Sequence, residues 1–203
     1  MKSRTFAEGW EASIRRLLRT GQHVPTERSV AALEVADFML TVTEPGREPR
    51  YSTRYAYGQA FLESYIESYG KGFSVPSVGR RIFGFQGEDF DQLDSICKKL
   101  RANWFSRRAV VALWKPLSDS PSPNPPCLVG MQFLLRDYLN LTAWFRSNDA
   151  WVAALPDMLA LSSLHQQVAL ELKVPCGTYT HIATSYHIYE SDLAIARRAF
   201  GLA

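Results

Sequence analysis

The sequence predicts an α+β fold, in which strands and helices are mixed without a regular βαβ alternation. Two apolar segments, "LVGMQFLLR" and "LNLTAWFRS", are joined by Asp137-Tyr138 and are typical of a β-hairpin. Helical patterns lie on both sides of this hairpin. The 203 residues are 46% apolar and 21% charged, which indicates a single globular domain over residues 1–203.

The helices are predicted from apolar residues that recur at helical spacing. They cover residues 7–19, which end at Gly21, residues 54–69, residues 89–103 and residues 156–174. A short helix follows near the end of the chain. The segment "SVAALEVADFMLTVTEP" is ambiguous, because its first part fits a helix or a strand, whereas the β-branched "MLTVT" favours a strand.

Two further strands complete the predicted sheet. "RRAVVALW" precedes the hairpin, and "GTYTHIATSYHIY" follows the long helix. The Pro- and Ser-rich stretch "PLSDSPSPNPP" stands between predicted strands, and we therefore expect a surface loop there.

Charge and cysteine usage exclude several classes of function. The net charge of +3 is too small to predict binding to a nucleic acid polymer, which requires a concentrated basic stripe. The sequence shows neither the apolar core of a signal peptide nor a run of membrane-spanning length. Cys97, Cys127 and Cys176 lie far apart without metal-type spacing. We expect free thiols in a cytoplasmic protein that uses no metal and contacts no membrane.

Cys127 is the first candidate functional residue. It follows two prolines at the start of one hairpin strand and faces Arg146 and Ser147 on the other. A nearby cation lowers the pKa of a thiol, and the thiolate is the nucleophilic form. A buried, small apolar cysteine is the alternative interpretation. Arg146 and Ser147 could clamp an oxyanion or phosphate, or they could be an exposed strand end.

Two more pairs of polar residues could bind a ligand. Arg107 and Arg108 are adjacent in a predicted strand and point to opposite faces, so at least one of them meets a partner other than solvent or lies at an interface. His187 and Tyr189 share a strand face and suit a sugar hydroxyl, although an exposed polar strand shows the same pattern.

The order of these motifs resembles the thymidylate synthase superfamily. "SRRAVVALWKP", "PPC", "RSND", an apolar helix and "SYHIYESD" follow one another within roughly residues 89–192. The sequence looks closest to the branch of hydroxymethylases that act on cytidylates (CMP or dCMP). The resemblance implies a large mixed sheet flanked by helices, a homodimer formed through one sheet face, and 5,10-methylenetetrahydrofolate as the one-carbon donor.

The resemblance also implies roles for the basic and nucleophilic residues. Cys127 would add to C6 of a pyrimidine nucleotide and so activate C5. Arg146 and Ser147 would hold the nucleotide phosphate, and Arg146 would also stabilise the thiolate. Arg107 and Arg108 would reach the same phosphate from the partner subunit, which makes the active sites shared.

Other positions match the superfamily's binding residues. His187 and Tyr189 match the pair that holds the ribose, and Asp149 matches the carboxylate that contacts the pterin of folate. Arg28 matches a phosphate-binding arginine of an N-terminal loop, although a solvated charge is an equal alternative.

Asp157 stands where thymidylate synthases carry an asparagine that reads uracil. An ionised carboxylate can only accept hydrogen bonds, so it suits the N4 amino group of cytosine rather than uracil O4. The resemblance therefore favours a cytosine nucleotide. The alternatives are that Asp157 is only the N-cap of a helix starting at Met158, or that a one-residue gap brings Met158 into the reading position.

The first half of the chain departs from the superfamily pattern. Gln59 stands in place of a glutamate that organises proton transfer, with Glu63 one turn later, and Val78 stands in place of a tyrosine that assists removal of the C5 proton. The segment with a folate-contacting tryptophan is missing. Two hypotheses follow: a C5 hydroxymethylase of cytosine nucleotides, or a nucleotide-binding relative that has lost C5 transfer.

The predicted dimer surface is an apolar set on the sheet. We expect it to consist of Trp114, Phe133, Leu135, Leu141, Ala143 and Phe145.

Overall fold

A computed structural model describes residues 1–70, 78–84 and 90–202 and arranges them around one mixed β-sheet. Its strands are β1 (Lys2–Ser3), β2 (Gln22–Val24), β3 (Ala32–Val42), β4 (Val110–Ala112), β5 (Leu128–Leu135), β6 (Leu139–Asp149) and β7 (Cys176–Tyr189). The order across the sheet is β1-β3-β7-β6-β5-β4, with β2 paired to β3. β6 and β7 are parallel, whereas β3 pairs with β7 and β5 pairs with β6 in the antiparallel sense.

Helices flank this sheet, which confirms the predicted α+β class. They are α1 (Phe6–Thr20), α2 (Gly58–Glu67), α3 (Val78–Phe83), α4 (Gln92–Ala102), α5 (Pro116–Asp119), α6 (Ala154–Leu172) and α7 (Glu190–Ala199). In the part of the chain that the structure describes, no helix is both long and apolar enough to cross a membrane.

The helix ends follow from local side-chain chemistry. Thr5 caps α1 by accepting a hydrogen bond from the Glu8 N–H, and the Glu8 carboxylate accepts in return from the Thr5 N–H. Gly21 ends α1, as predicted. The Asp91 side chain caps α4 by accepting hydrogen bonds from the N–H groups of Leu93 and Asp94, and the helix therefore begins slightly later than predicted. Residue 89, where the prediction began, lies outside the described residues.

Several elements differ from the prediction. The ambiguous segment is β3, because its whole length pairs with β7. The strand predicted in "RRAVVALW" is limited to β4, so Arg107 and Arg108 precede the strand rather than lie within it. β1, β2, α3 and α5 were not predicted, since two to six residues are too few to show a periodicity.

The core lies between one face of the sheet and the helices α1 and α6. Trp10, Ile14 and Leu17 of α1 are fully buried there. The apolar set predicted for the dimer surface is on this inner face: Phe133, Leu135, Leu141, Ala143 and Phe145 are buried within the chain itself. That prediction is therefore wrong. The other face exposes Met39, Val110 and Trp144 instead.

In the three central strands, β3, β7 and β6, the alternation of buried and exposed side chains is interrupted at the same level of the sheet. In β7 the buried residues alternate up to Ala183 and resume at Tyr186, three positions later. In β6 the same three-residue step separates the buried residues Phe145 and Asn148. Phe145 pairs with Ala183, and Asn148 pairs with Tyr186. β3 makes the step beside Asp37, which has a positive φ of 50°. We call this aligned irregularity the parity shift; like a β-bulge, it re-aims the side chains that follow it.

Candidate functional site

Cys127 lies directly before β5, opposite Arg146 of β6. The Arg146 N–H donates to the Cys127 carbonyl at 2.9 Å, so the two residues are paired as the hairpin predicted. The Ser147 hydroxyl lies 3.8 Å from the Cys127 sulfur. Cys127 is exposed, and the alternative of a buried apolar cysteine is therefore wrong.

The Arg146 guanidinium holds the loop that presents Cys127. It donates to the carbonyls of Pro126 (3.0 Å) and Pro125 (2.8 Å) and to the Ser147 hydroxyl (3.2 Å). These contacts use three of the five N–H groups of a guanidinium. Arg146 and Ser147 occupy the parity shift of β6, where the strand turns its side chains from one face to the other.

The pKa of the Cys127 thiol lies above its usual value. Although the residue is exposed, the surrounding protein restricts hydration of the thiolate, and this is the largest cause. The hydrogen bond from Ser147 and the charges of Arg146 and Arg28 act in the opposite direction, while the charge of Asp157 raises the pKa further. The net direction is opposite to the one expected from Arg146 alone.

Arg28, His187 and Tyr189 form one cluster beside this thiol. The Arg28 guanidinium lies 5.1 Å from the centre of the Tyr189 ring, and the rings of His187 and Tyr189 are 4.9 Å apart. Burial lowers the pKa of His187, with the charges of Asp149 and Glu34 opposing. His187 Nδ1 lies 3.3 Å from the Ser185 hydroxyl. The structure thus brings together the three residues that sequence assigned to sugar and phosphate.

Asp149 lies at the end of β6, beside His187 in the register of the sheet. Its Oδ1 accepts from the N–H groups of Trp151 and Val152, each at 3.0 Å, which shapes the turn into α6. Burial raises the pKa of this carboxyl. Among the residues that the structure describes, none donates a hydrogen bond to Asp149 Oδ2.

Asp157 is buried on the first turn of α6 and accepts hydrogen bonds from three donors. The Tyr65 hydroxyl donates to Oδ1 at 2.8 Å, the Tyr69 hydroxyl donates to the same oxygen, and the Asn148 amide donates to Oδ2 at 2.7 Å. Burial outweighs these three bonds and raises the pKa of Asp157 to about 6. The residue before α6 is Ala153, so the interpretation of Asp157 as an N-cap is wrong.

A buried polar chain continues from Asp157 across the sheet. Asn148 Oδ1 lies 3.1 Å from His181 Nε2, and His181 Nδ1 lies 3.1 Å from the Tyr179 hydroxyl. Because the Asn148 amide nitrogen donates to Asp157, its oxygen must accept from His181, which assigns the proton to Nε2. Burial lowers the pKa of His181 to about 3, so its imidazole is neutral at physiological pH.

Arg107 and Arg108 are not brought to Cys127 within the chain. The Arg107 carbonyl accepts from the Gln132 side chain at 2.8 Å, and the neighbouring Ala109 carbonyl accepts from the Phe133 N–H at 2.9 Å. Phe133 is six residues along β5 from Cys127, which corresponds to about 20 Å at the rise of a strand. Both arginines are exposed.

Gln59 and Val78, which stand in place of the superfamily's proton-transfer residues, make contacts outside the group around Cys127. Gln59 is exposed and donates to Glu63 at 2.8 Å, and its oxygen accepts from the Tyr51 hydroxyl at 2.9 Å. Val78 begins α3 and packs against the apolar core.

Sequence reasoning missed Tyr65, Tyr69 and Asn148. Tyr65 and Tyr69 have a visible signal, because their four-residue spacing places two hydroxyls on one side of a helical segment. Asn148 has none. Strict alternation along β6 places it on the face opposite Phe145, and only the parity shift turns it towards α6.

We predict that a limiting alkylating reagent modifies Cys127 before the other two cysteines, by at least roughly tenfold in rate. Cys97 is buried in α4 and Cys176 is half-buried, and burial raises the pKa of both thiols without a hydrogen bond such as that from Ser147. Mass spectrometry of the labelled peptides measures the order. A bound pyrimidine nucleotide should protect Cys127; equal labelling of all three would contradict the site.

A metal cluster and a separate cleft are the two other kinds of site considered for the described residues. The described ranges hold no group of three His, Cys, Asp or Glu side chains that could bind a metal ion. A cleft between α4 and α6, lined by Cys97, Val168 and Glu171 among others, contains none of the residues assigned to the site.

The chain is similar to known proteins of one family. The sequence profile of the family described as Thymidylate synthase matches residues 49–200. A relative from Methanocaldococcus jannaschii is 32% identical over 199 residues, which cover 93% of this chain and 90% of the relative. One from Methanothermobacter thermautotrophicus is 32% identical over 204 residues, covering 91% and 90%. One from Methanosarcina barkeri is 30% identical over 196 residues, covering 95% and 90%.

All three relatives are provisionally named thymidylate synthases. The profile match extends on both sides of residues 89–192, which contain the motifs, and it includes α2 and α3. The chain therefore belongs to the thymidylate synthase family of C5 one-carbon transferases.

Proposed function

We propose that this protein transfers a one-carbon unit to C5 of a cytosine nucleotide and produces a 5-hydroxymethyl product. The observation that carries the proposal is the group around Cys127: an exposed thiol, a hydroxyl at 3.8 Å, and two arginines and one buried carboxylate whose charges act on it. An exposed thiol with positive charges nearby that favour its thiolate form is typical of covalent catalysis.

Cys127 would act as the nucleophile. Its sulfur would form a bond to C6 of the pyrimidine, and the electron pair of the C5–C6 double bond would move to C5 and into the ring carbonyl. C5 would thereby become nucleophilic. Arg146 favours the thiolate through its charge, and it fixes the position of the attacking sulfur through its bonds to the Pro125 and Pro126 carbonyls.

Arg146, Ser147 and Arg28 would hold the phosphate. Arg146 keeps two N–H groups beyond the three it uses within the loop. Arg28 adds an exposed positive charge close enough to influence both Cys127 and His187. His187 and Tyr189, whose rings are in contact, would bind the ribose.

Asp157 would read the base. A carboxylate has about four lone-pair positions, and Tyr65, Tyr69 and Asn148 occupy three of them. The remaining position is on Oδ2, where an N4 amino group could donate. Uracil presents an acceptor at the equivalent position, which an ionised carboxylate cannot satisfy.

The family generally uses methylenetetrahydrofolate, and we propose it as the one-carbon donor here. Asp149 fits this cofactor. One of its carboxylate oxygens accepts no hydrogen bond from the described residues, and a pterin ring offers N–H donors. Bound folate would supply the carbon at the oxidation level of formaldehyde, and Asp149 would orient its pterin.

Two alternatives have specific support. The names of the relatives favour a uridine nucleotide as substrate. The positions of Gln59 and Val78 favour a nucleotide-binding protein without C5 transfer, because an amide and an isopropyl group cannot exchange protons at neutral pH.

One experiment separates the three possibilities. Cytidylate, deoxycytidylate and deoxyuridylate labelled with tritium at C5 are incubated with the protein, with and without methylenetetrahydrofolate. Release of tritium from a cytosine nucleotide above that from deoxyuridylate supports the proposal. Faster release from deoxyuridylate favours thymidylate synthesis, and no release from any of them favours the binding protein.

We also predict a homodimer in which Arg107 or Arg108 completes the partner's phosphate site. The family typically forms homodimers. The exposed arginines precede β4 and lie beside the part of β5 around Gln132, about 20 Å along the strand from Cys127 of their own chain. Sedimentation should show a dimer at micromolar concentration; a stable monomer would contradict the prediction.

Mixed dimers test the shared site directly. A Cys127→Ser protein and an Arg107→Ala/Arg108→Ala protein are unfolded together and refolded as a mixture. If the arginines act across the interface, half of the dimers are mixed and one of their two sites is intact, so about a quarter of wild-type activity should return. If the arginines serve their own subunit, no activity returns.

A further inference from the structure

We propose that Tyr65 is the residue that exchanges the proton at C5, and that Asp157 behind it accepts and returns this proton. The inference rests on the proposed C5 chemistry. It assigns the acid–base work to α2 and α6 in place of the family positions that here hold Gln59 and Val78.

The hydrogen bonds point to this pair. Tyr65 and Tyr69 reach the same oxygen of Asp157, but they differ in access to the site. Tyr69 is only 4% exposed, whereas Tyr65 is half-buried. Of the two hydroxyls that donate to this oxygen, only that of Tyr65 therefore belongs to a residue that is partly accessible from outside the protein.

Contacts also connect Tyr65 to the nucleophile. Its partner Asp157 accepts from Asn148, which follows Ser147 in β6, and the Ser147 hydroxyl lies 3.8 Å from the Cys127 sulfur. The charge of the Cys127 thiolate is among the causes that raise the pKa of Tyr65, after burial and Asp157. The pKa of Tyr69, by contrast, is raised by burial and by the charges of Asp157 and Tyr65. C5 is bonded to C6, the atom that Cys127 would attack, so a hydroxyl near the sulfur is suitably placed for the proton at C5.

The carboxylate is suited to the role of final acceptor. Asp157 is held by Asn148, which is itself held by His181, so its orientation is fixed from the side opposite the tyrosines. A tyrosine hydroxyl hydrogen-bonded to a carboxylate can pass a proton in either direction without a net change in its own charge.

The step balances in both directions. In the adduct, the C6–S bond is present and C5 carries two hydrogens. Tyr65 Oη takes one hydrogen from C5 as a proton while its own proton moves to Asp157 Oδ1. The C5–H electron pair forms the C5–C6 double bond, and the C6–S bond breaks to release the Cys127 thiolate. The reverse path protonates C5 from Tyr65, with Asp157 restoring the Tyr65 proton.

The test compares two single hydroxyl deletions. Tyr65→Phe should lower the release of tritium from C5 of the preferred nucleotide by at least about 10²-fold, which is the lower range for loss of an acid–base group. Tyr69→Phe removes a hydrogen bond from the same oxygen and measures what the loss of that bond alone costs; its rate should exceed that of Tyr65→Phe by at least about tenfold. Protection of Cys127 from alkylation by the nucleotide should be similar in all three proteins.

Each outcome bears on a different statement. If Tyr65→Phe releases tritium at the wild-type rate, or if the rate falls equally in both variants, the inference is overturned and the proposed function remains. Absence of release from every pyrimidine nucleotide with the wild-type protein overturns the proposed function and the inference together. Loss of Cys127 protection in Tyr65→Phe alone would make Tyr65 a nucleotide-binding residue and would also overturn the inference.

Discussion

Cys127→Ser should abolish both tritium release from C5 and transfer of the one-carbon unit, with a fall of at least about 10³-fold. Loss of the nucleophile removes the covalent step, and a serine hydroxyl is far less ionised than a thiol at neutral pH. Nucleotide binding should persist, because the phosphate contacts proposed for Arg146 and Arg28 do not involve the sulfur. Calorimetry for binding and tritium release for chemistry measure the two properties separately.

Cys176→Ser is the matched control for this variant. Cys176 begins β7 and is half-buried, at the opposite end of that strand from His187 and Tyr189. Its loss should leave both measurements within about twofold of wild type. A Cys127→Ser protein that keeps substantial C5 exchange would remove the covalent mechanism from consideration.

Asp157→Asn should reverse or greatly narrow the choice of base. In the wild-type protein an acceptor facing uracil O4 leaves both groups unsatisfied, which should cost about 1–3 kcal/mol. Cytidylate should therefore bind roughly ten- to a hundredfold better than uridylate. The asparagine amide can donate to O4, while phosphate and sugar contacts remain. Titration calorimetry of both nucleotides against both proteins measures the ratio.

The preference of the wild-type protein should also depend on pH. The pKa of Asp157 is raised to about 6, so the carboxyl becomes increasingly protonated below that pH and can then donate to uracil O4. The ratio of cytidylate to uridylate affinity should rise with pH through this value. The groups that act on Asp157 are Tyr65, Tyr69, Asn148 and Asp149. Because His187 and phosphate also titrate, Asp157→Asn is the control: its ratio should not follow the same curve. A ratio independent of pH in the wild type would contradict the role of Asp157 in base reading.

The sequence predicts the large elements well for physical reasons. α1 and the strands of the hairpin bury long apolar stripes, whose period is visible without knowledge of the fold. Short elements such as β1 and α3 depend on partners distant in sequence, so their own residues carry little signal. The apolar set from Phe133 to Phe145 was correctly recognised as one face, but alternation does not reveal whether helices or a second subunit cover it.

The site was predictable where function resides in adjacent residues. Arg146 and Ser147 act on Cys127 across one hairpin, which a sequence pattern can show. The surroundings of Asp157 were not predictable, because Tyr65 comes from a helix 92 positions away and Asn148 reaches Asp157 only through the parity shift. The direction of the Cys127 pKa was missed for a related reason, since hydration of the thiolate depends on atoms from several elements.

The parity shift also determines which parts of this protein could be redesigned separately. Before the shift, β6 alternates as an ordinary scaffold strand, with Leu141, Ala143 and Phe145 in the core. After it, the same strand delivers Asn148 to the carboxylate of α6. An engineer who restored strict alternation, by removing one residue from each central strand, would keep an acceptable hydrophobic pattern on the first half while displacing every polar side chain of the second. The scaffold and the chemistry of this chain are thus joined at a single irregular row of residues, and that row is the place where a new specificity would have to be built.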